Sequence, residues 1–229
     1  MSFWVPDRRP ADELLDGDVP APEAEASLSD IEWVHRNLGG RALLARRLLP
    51  LLSALAGSRG SLSLLDLGCG SGHVGRDLLS AFARRGGSLR AFGLDLKLTH
   101  ARLSPRGRAA AADALALPFA DRSADVVFST LFLHHFSPDG VATLLGEAER
   151  VARRAVVAFD LTRHLVPLAL ISVVGPLAFR SRISTVDGRA SVRQAYTREE
   201  MARLAAPVLP GATLAAAGPF VWQLVWRRP

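Results

Sequence analysis

The stretch Leu64-Leu65-Asp66-Leu67-Gly68-Cys69-Gly70-Ser71-Gly72 decides the fold. An apolar run of strand length passes into a turn with glycine at alternate positions, and a helical pattern from Val74 to Arg85 follows. Glycine lets the backbone turn sharply and lets a ligand approach the main chain with no Cβ in the way. Outward from this point, short apolar strands are expected at Leu62 to Leu67, Leu89 to Leu94, Ala109 to Ala112, Val126 to Leu131 and Ala155 to Leu161. Runs of this kind suit parallel strands buried on both faces. Helices are expected at Val74 to Arg85, Thr99 to Leu103, Gly140 to Ala152 and Thr197 to Ala206, which gives repeated βαβ units. Thr213 to Ala217 and Phe220 to Trp226 are separated only by Gly218-Pro219, so they should pair as an antiparallel hairpin. The fold class is therefore α/β, with a doubly wound, mostly parallel sheet.

The 229 residues, about half of them apolar, suffice for one globular unit with a modest extension. Met1 to roughly Ser29 is rich in Pro, Asp and Glu and reads as a loose or wrapping arm. Ser29 or Asp30 is expected to cap a helix through Ile31, Val34 and Leu38, and a second helix runs from Leu43 to Leu55 after Gly39-Gly40. Residues 1–57 are thus an arm and helices, and 58–229 the main domain, with an insert at 163–196 expected to form a substrate lid. Within that insert, Leu165 to Phe179 carries no charge. It falls short of the roughly twenty residues that cross a bilayer and is broken by Pro167 and Pro176. It is expected to be a buried helix or an apolar lid, with membrane-surface contact the less favoured reading and no transmembrane segment.

The start of the chain lacks a basic end followed by an apolar run, which points to the cytoplasm. Cys69 is the only cysteine, so no internal disulfide and no cysteine metal site can form, and no metal is expected. The net charge of +6 comes from arginines scattered as pairs, with Lys97 the only lysine, rather than from a cluster that would grip phosphates. A basic RNA-binding or RNA-modifying protein is the alternative of a different class. No nucleic-acid partner is expected, and the oligomeric state is not legible.

Asp66 discriminates between ligands of the glycine turn. Gly70-x-Gly72-x-x-Gly75 satisfies the dinucleotide count, but a carboxylate two residues before Gly68 would repel a pyrophosphate. S-adenosylmethionine has no phosphate and offers an ammonium group. An NAD-dependent oxidoreductase is disfavoured for this reason. Asp95 closes the next strand, where it can accept from both ribose hydroxyls. Asp113 can accept from an adenine amine, with Leu96 against the ring face. Helix caps and turns are the competing explanation for each acid, and weaken when three acids end three consecutive strands.

Asp66-x-Gly68-x-Gly70-x-Gly72, Asp95, Asp113-Ala114 with Leu117-Pro118-Phe119, and Asp125-Val126-Val127-Phe128 resemble the ordered motifs of class I S-adenosylmethionine-dependent methyltransferases. The resemblance spans roughly Leu62 to Leu161. It implies a Rossmann-like seven-stranded sheet whose last strand is antiparallel, and S-adenosyl-L-methionine as cofactor. The cofactor contacts implied are Asp66, Gly68, Cys69, Gly70, Gly72, Asp95, Leu96, Asp113, Ala114 and Ser129.

The acceptor side begins at Ser129-Thr130-Leu131-Phe132-Leu133-His134-His135-Phe136. It lacks the Asn/Asp-Pro-Pro-aromatic run of enzymes that methylate base amines. Aligning an acceptor with a sulfonium methyl supplies most of the catalysis, and a phenol also gains from a base. His135 is the expected base and His134 its alternate, against a structural histidine pair capping the sheet. Asp160-Leu161-x-Arg163, Val186-Asp187-Gly188 through Tyr196-Thr197, Glu13-Leu14-Leu15-Asp16 and Asn37-Leu38-Gly39-Gly40 resemble small-molecule methyltransferases found beside type III polyketide synthases. Val186 stands where that group has His. This implies a phenolic or polyketide-derived small-molecule acceptor methylated at oxygen, with carbon or nitrogen as alternatives. Arg163, Arg193 and Tyr196 are expected to orient an oxygen-bearing ring while the insert holds an alkyl chain. Surface ion pairs, and a capping box formed by Thr197 and Glu200, are the competing accounts of these residues.

Overall fold

The computed structural model describes residues 4–105 and 107–229; the first three residues of the arm lie outside it. Seven strands form one sheet: β1 Ser61–Leu67, β2 Ser88–Asp95, β3 Ala109–Ala111, β4 Ala124–Thr130, β5 Ala152–Leu161, β6 Thr213–Gly218 and β7 Val221–Arg227. Their order is β3-β2-β1-β4-β5-β7-β6, with β1 to β5 parallel and β7 antiparallel to both of its neighbours. This is the expected Rossmann-like architecture. The hairpin forms as expected because Gly218-Pro219 leaves no room for a crossover helix.

Among the described residues eight α-helices accompany the sheet: α1 Ala21–Asn37, α2 Gly40–Ala56, α3 His73–Ala83, α4 Leu98–Ala101, α5 Pro138–Val151, α6 Leu165–Ala178, α7 Arg182–Gln194 and α8 Arg198–Ala205. Strand alternation divides the core in two. Leu62 and Leu64 of β1 join Leu48, Leu52, Leu78 and Phe82 on one face. Leu65 and Leu67 join Leu144, Leu145, Met201 and Trp222 on the other. Full burial contributes about 1.5–3 kcal/mol for each such side chain. At the far end of β4, Asp125 accepts from the Ser63 amide and hydroxyl and from Arg153, so it ties strand beginnings together, away from the glycine turn.

Three local expectations change. Helix α1 begins at Ala21 rather than near Ser29, because proline is compatible with a first helical turn and Pro22 lies in it. Asp30 is not its cap: the buried carboxylate accepts from the Arg180 and Ser181 amides and the Ser184 hydroxyl, anchoring the start of α7. The apolar segment does form a helix, α6, but not a buried one, since Leu170, Val173, Val174 and Leu177 face outward. Helix α7, unanticipated because Gly188 and β-branched residues weaken its pattern, packs beneath α6: a Cβ on Gly188 would meet Ile171 at 2.2 Å, and one on Gly175 would meet Thr185 at 3.1 Å. The capping box at the start of α8 forms as expected, with the Glu200 amide donating to Thr197 and the Thr197 amide to Glu200. Among the described residues no helix is long and apolar enough to cross a membrane.

Candidate functional site

The tips of β1, β2 and β4 meet at the glycine turn. Gly68, Gly70 and Gly72 all have positive φ, and a Cβ at Gly68 would fall 2.3 Å from the Phe132 ring. The turn therefore fits closely against the loop that leaves β4. Gly75, the third glycine of the dinucleotide count, is not needed as glycine: a Cβ there would make ordinary contacts at 3.7 Å and 3.8 Å.

Asp66 is 3% exposed, and no hydrogen-bond donor meets its carboxylate among the described residues. Burial, reinforced by the nearby negative charge of Asp95, pushes its pKa up to about 8. A buried acid without a partner is an electrostatic vacancy that a cationic group would fill. Asp95 holds the turn itself: one oxygen accepts from the Gly70 amide at 2.8 Å, while the other accepts from the Lys97 amide at 3.0 Å and lies 3.2 Å from His100 Nδ1. Cys69 is buried beneath the turn, and burial raises its thiol pKa, so it is packing rather than a nucleophile. Asp113 is exposed and accepts from the Leu115 amide in an Asx turn. Leu96 is exposed beside it, while Ala114 and Ser129 are buried.

On the acceptor side the chain leaves β4 through Leu131, a non-glycine residue at φ +52°, and enters a short 3-10 helix, Leu133–His135. The two histidines stack, with ring centroids 4.4 Å apart. His134 is buried; its Nδ1 lies 2.7 Å from Asp160 of β5, which also accepts from its amide. Burial opposes charge on this imidazole, but Asp160 and Glu13 prevail and hold its pKa well above the usual histidine range. An imidazole kept as a cation has no lone pair with which to take a proton. His135 is more open, with Nδ1 2.9 Å from Asp16 and Nε2 facing Glu13 Oε2 at 3.9 Å.

Glu13 and Asp16 come from the arm, which sequence reasoning noted only as a resembling motif and to which it assigned no role. The arm crosses the tips of the sheet. The Leu165 amide donates to the Trp4 carbonyl, and Arg8 donates to the Gln194, His134 and Phe136 carbonyls while lying 4.1 Å over the Tyr196 ring. Glu13 accepts from Ser191 at 2.6 Å and Gln194 at 2.7 Å, Asp187 accepts from the Leu14 and Leu15 amides, and Lys97 donates to the Gly17 carbonyl. Burial works against the Glu13 charge, yet hydrogen bonding and attraction from His134 and His135 lower its pKa.

The three residues expected to orient an acceptor are placed differently from one another. Arg163 is 3% exposed and forks onto Glu200, with further bonds to the Pro6 and Ala195 carbonyls. Tyr196 is buried, and its hydroxyl donates to the Phe136 carbonyl at 2.8 Å. Arg193 is half-buried near the arm, its carbonyl accepting from the Arg9 amide. Glu13, His134 and His135 also present ligand atoms within 4.8 Å of one another, close enough to share a cation.

A family model described as a methyltransferase domain matches residues 65–159. No curated protein matches the chain in sequence. Among solved structures, the chain is similar to the plantazolicin methyltransferase BpumL in complex with a monoazolic desmethylPZN analog and SAH, at TM-score 0.61 and 14% identity over 91% of each chain. It is also similar to magnesium protoporphyrin IX methyltransferase (ChlM) from Synechocystis PCC 6803 with bound SAH, at TM-score 0.54 and 17% identity over 93% of this chain and 90% of that one. A SAM-dependent methyltransferase from Archaeoglobus fulgidus matches at TM-score 0.57 and 14% identity over 86% and 99%. At these identities the likeness is one of fold.

Proposed function

With a methyltransferase domain over residues 65–159 as the premise, we propose that this chain is an enzyme that transfers the methyl group of S-adenosylmethionine to an oxygen of a small aromatic or polyketide-derived molecule. The observation that carries the cofactor is Asp66, a buried and unpartnered carboxylate beneath a glycine turn. The ammonium of the methionine moiety supplies the cation that this acid lacks, whereas a diphosphate would meet repulsion. Asp95 at the tip of β2 would hold the ribose hydroxyls, and Leu96 and Asp113 would hold the adenine. Ser129, Ala114 and Cys69 shape the floor.

Bound there, S-adenosylmethionine would supply its methyl carbon to in-line attack by the acceptor oxygen, with the carbon–sulfur bond breaking to leave S-adenosylhomocysteine. The phenolic proton passes to His135 Nε2, while Asp16 accepts from Nδ1 and fixes the tautomer. His134, bound to Asp160 and facing Glu13, acts as a positioning residue that holds the arm over the site. Arg163 does the same from beneath the arm through the Pro6 carbonyl. Helices α6 and α7, within the 163–196 insert, form the wall against which an apolar acceptor packs, with Arg193 and Tyr196 at its base. The neighbouring structure that holds a desmethylPZN analog supports a small-molecule acceptor.

Calorimetry tests the cofactor. S-adenosylmethionine and S-adenosylhomocysteine should each bind at one site, and NAD should not; absence of heat from both sulfur compounds would remove the reading. Product analysis by mass spectrometry then separates oxygen from carbon or nitrogen methylation.

A further inference from the structure

Helix α6 carries no charged residue and is apolar on its outer as well as its inner side. Its inner side packs on α7 through Ile171 and Gly175, which meet Gly188 and Thr185. Its outer side carries Val166, Leu170, Val173, Val174 and Leu177, a stripe at helical spacing in which Val173 is 70% and Leu177 87% exposed. The small residues between them, Ala169, Pro176 and Ala178, are exposed too. A monomer in water places charged side chains on such a face, and a contiguous apolar patch marks a contact surface.

The chemistry of the helix ends identifies what covers the patch. No acidic residue occurs from Leu161 to Val186, while Arg180 and Arg182 follow the C-terminal end of α6 and are exposed. Neither guanidinium forms an ion pair among the described residues, and the chain as a whole carries +6. At the other end the N-cap residue His164 stacks on Trp4, which is exposed, and an indole is a side chain that suits a lipid–water boundary. A second copy of this helix would bury the apolar stripe but bring no negative charge to the arginines. An anionic lipid surface satisfies both features at once. At 14 residues, or about 21 Å at 1.5 Å per residue, α6 is too short to span the roughly 30 Å hydrocarbon core, so it lies in the plane of the surface.

We propose that the outer face of α6, with Arg180 and Arg182, docks the protein on an anionic membrane surface. A membrane-facing insert beside the acceptor wall would draw a lipid-soluble acceptor from that surface, so the inference goes beyond the reaction assigned above. It is tested without acceptor or cofactor, so its failure leaves that reaction untouched.

Sedimentation of the full chain with vesicles of phosphatidylcholine alone, and with 30% phosphatidylglycerol, is the experiment. Binding should be at least tenfold tighter to the anionic vesicles and should weaken with salt. Val173→Asp with Leu177→Asp should lower it at least tenfold on either vesicle. Arg180→Gln and Arg182→Gln should each cost about fivefold on anionic vesicles only, as expected of a basic group near such a surface. Because all four side chains are exposed, the unfolding midpoint should not fall, which separates lost docking from lost folding. No vesicle binding, or binding that the aspartate pair leaves intact, would overturn the proposal. So would a concentration-dependent dimer, abolished by that pair, in a chain that ignores vesicles.

Discussion

Asp66→Asn should make the empty protein more stable and the enzyme useless. In the folded chain the carboxyl keeps its proton to about pH 8, against about 3.8 for the free side chain. The folded state therefore binds more protons than the unfolded state between those values, and stability falls as pH rises through that window. At 1.36 kcal/mol per pH unit the whole fall is roughly 6 kcal/mol, and most of it is present at pH 7. Asparagine carries no charge to desolvate, but its amide stays unpartnered in the same place, which costs about 1–3 kcal/mol. The variant should thus gain about 1–3 kcal/mol at pH 7, or several degrees in unfolding midpoint for a chain of this length. Urea unfolding of the cofactor-free protein at pH 5, 7 and 8.5 reads both the gain and the flattened pH slope. Wild-type affinity for S-adenosylmethionine should rise with pH between 5 and 8, because pairing with the ammonium requires Asp66 to lose its proton. In the variant it should drop by at least a hundredfold, the scale of a broken buried charge pair. If the variant is less stable at pH 8.5 with the wild-type slope, or binds the cofactor within threefold of wild type, the electrostatic vacancy is not what Asp66 provides.

Other substitutions separate the remaining roles. His135→Gln should lower kcat by about 10²–10⁴ with the cofactor Kd unchanged, and chelators should leave wild-type turnover as it is; turnover lost to a chelator would instead place a cation among Glu13, His134 and His135. Glu13→Ala leaves His134 facing no carboxylate on the arm side, so residues 4–20 should become open to protease and the acceptor KM should rise, while cofactor affinity measured by calorimetry stays close to wild type. Gly68→Ala combines a positive φ with a 2.3 Å clash against Phe132, costing about 2–5 kcal/mol and cofactor binding together. Gly75→Ala, which clashes with nothing inside α3, should be neutral or raise the unfolding midpoint. A Gly75→Ala protein that fails to fold would refute the packing argument against a dinucleotide turn.

The sheet was legible because each central strand is a continuous apolar run and the parallel connections other than that between β3 and β4 carry a helical period. Strands β1 to β5 and the hairpin lie within a few residues of their expected bounds. Two N-terminal features were misjudged because composition misled: Pro20, Pro22 and the flanking glutamates look like coil, yet a first helical turn accepts them all. The glycine turn and its acids announced themselves by spacing. The acceptor side did not, because its parts lie far apart in sequence. Glu13 and Asp16 reach His134 and His135 across more than a hundred residues, and nothing local distinguishes an arm glutamate bound for a buried histidine from one in solvent. The signal available was the apolar Leu14-Leu15 between two acids in an otherwise polar arm, where Leu15 is buried.

The residues that break the ordinary rules of stability gather on one edge of the sheet. Asp66 is buried without a partner, Leu131 holds a left-handed backbone just before the histidines, and His134 is a buried cation between two acids. Each of these costs free energy that a purely structural protein would shed by substitution. The arm ties them together, because Lys97 beyond Asp95 and His135 beyond β4 are held by the same few residues, Glu13 to Gly17. Opening of that segment would therefore also release Asp16 from His135. In the proposed reaction His135 would be oriented by Asp16 only while this segment is closed, so one short stretch of chain would couple proton transfer to the exclusion of water.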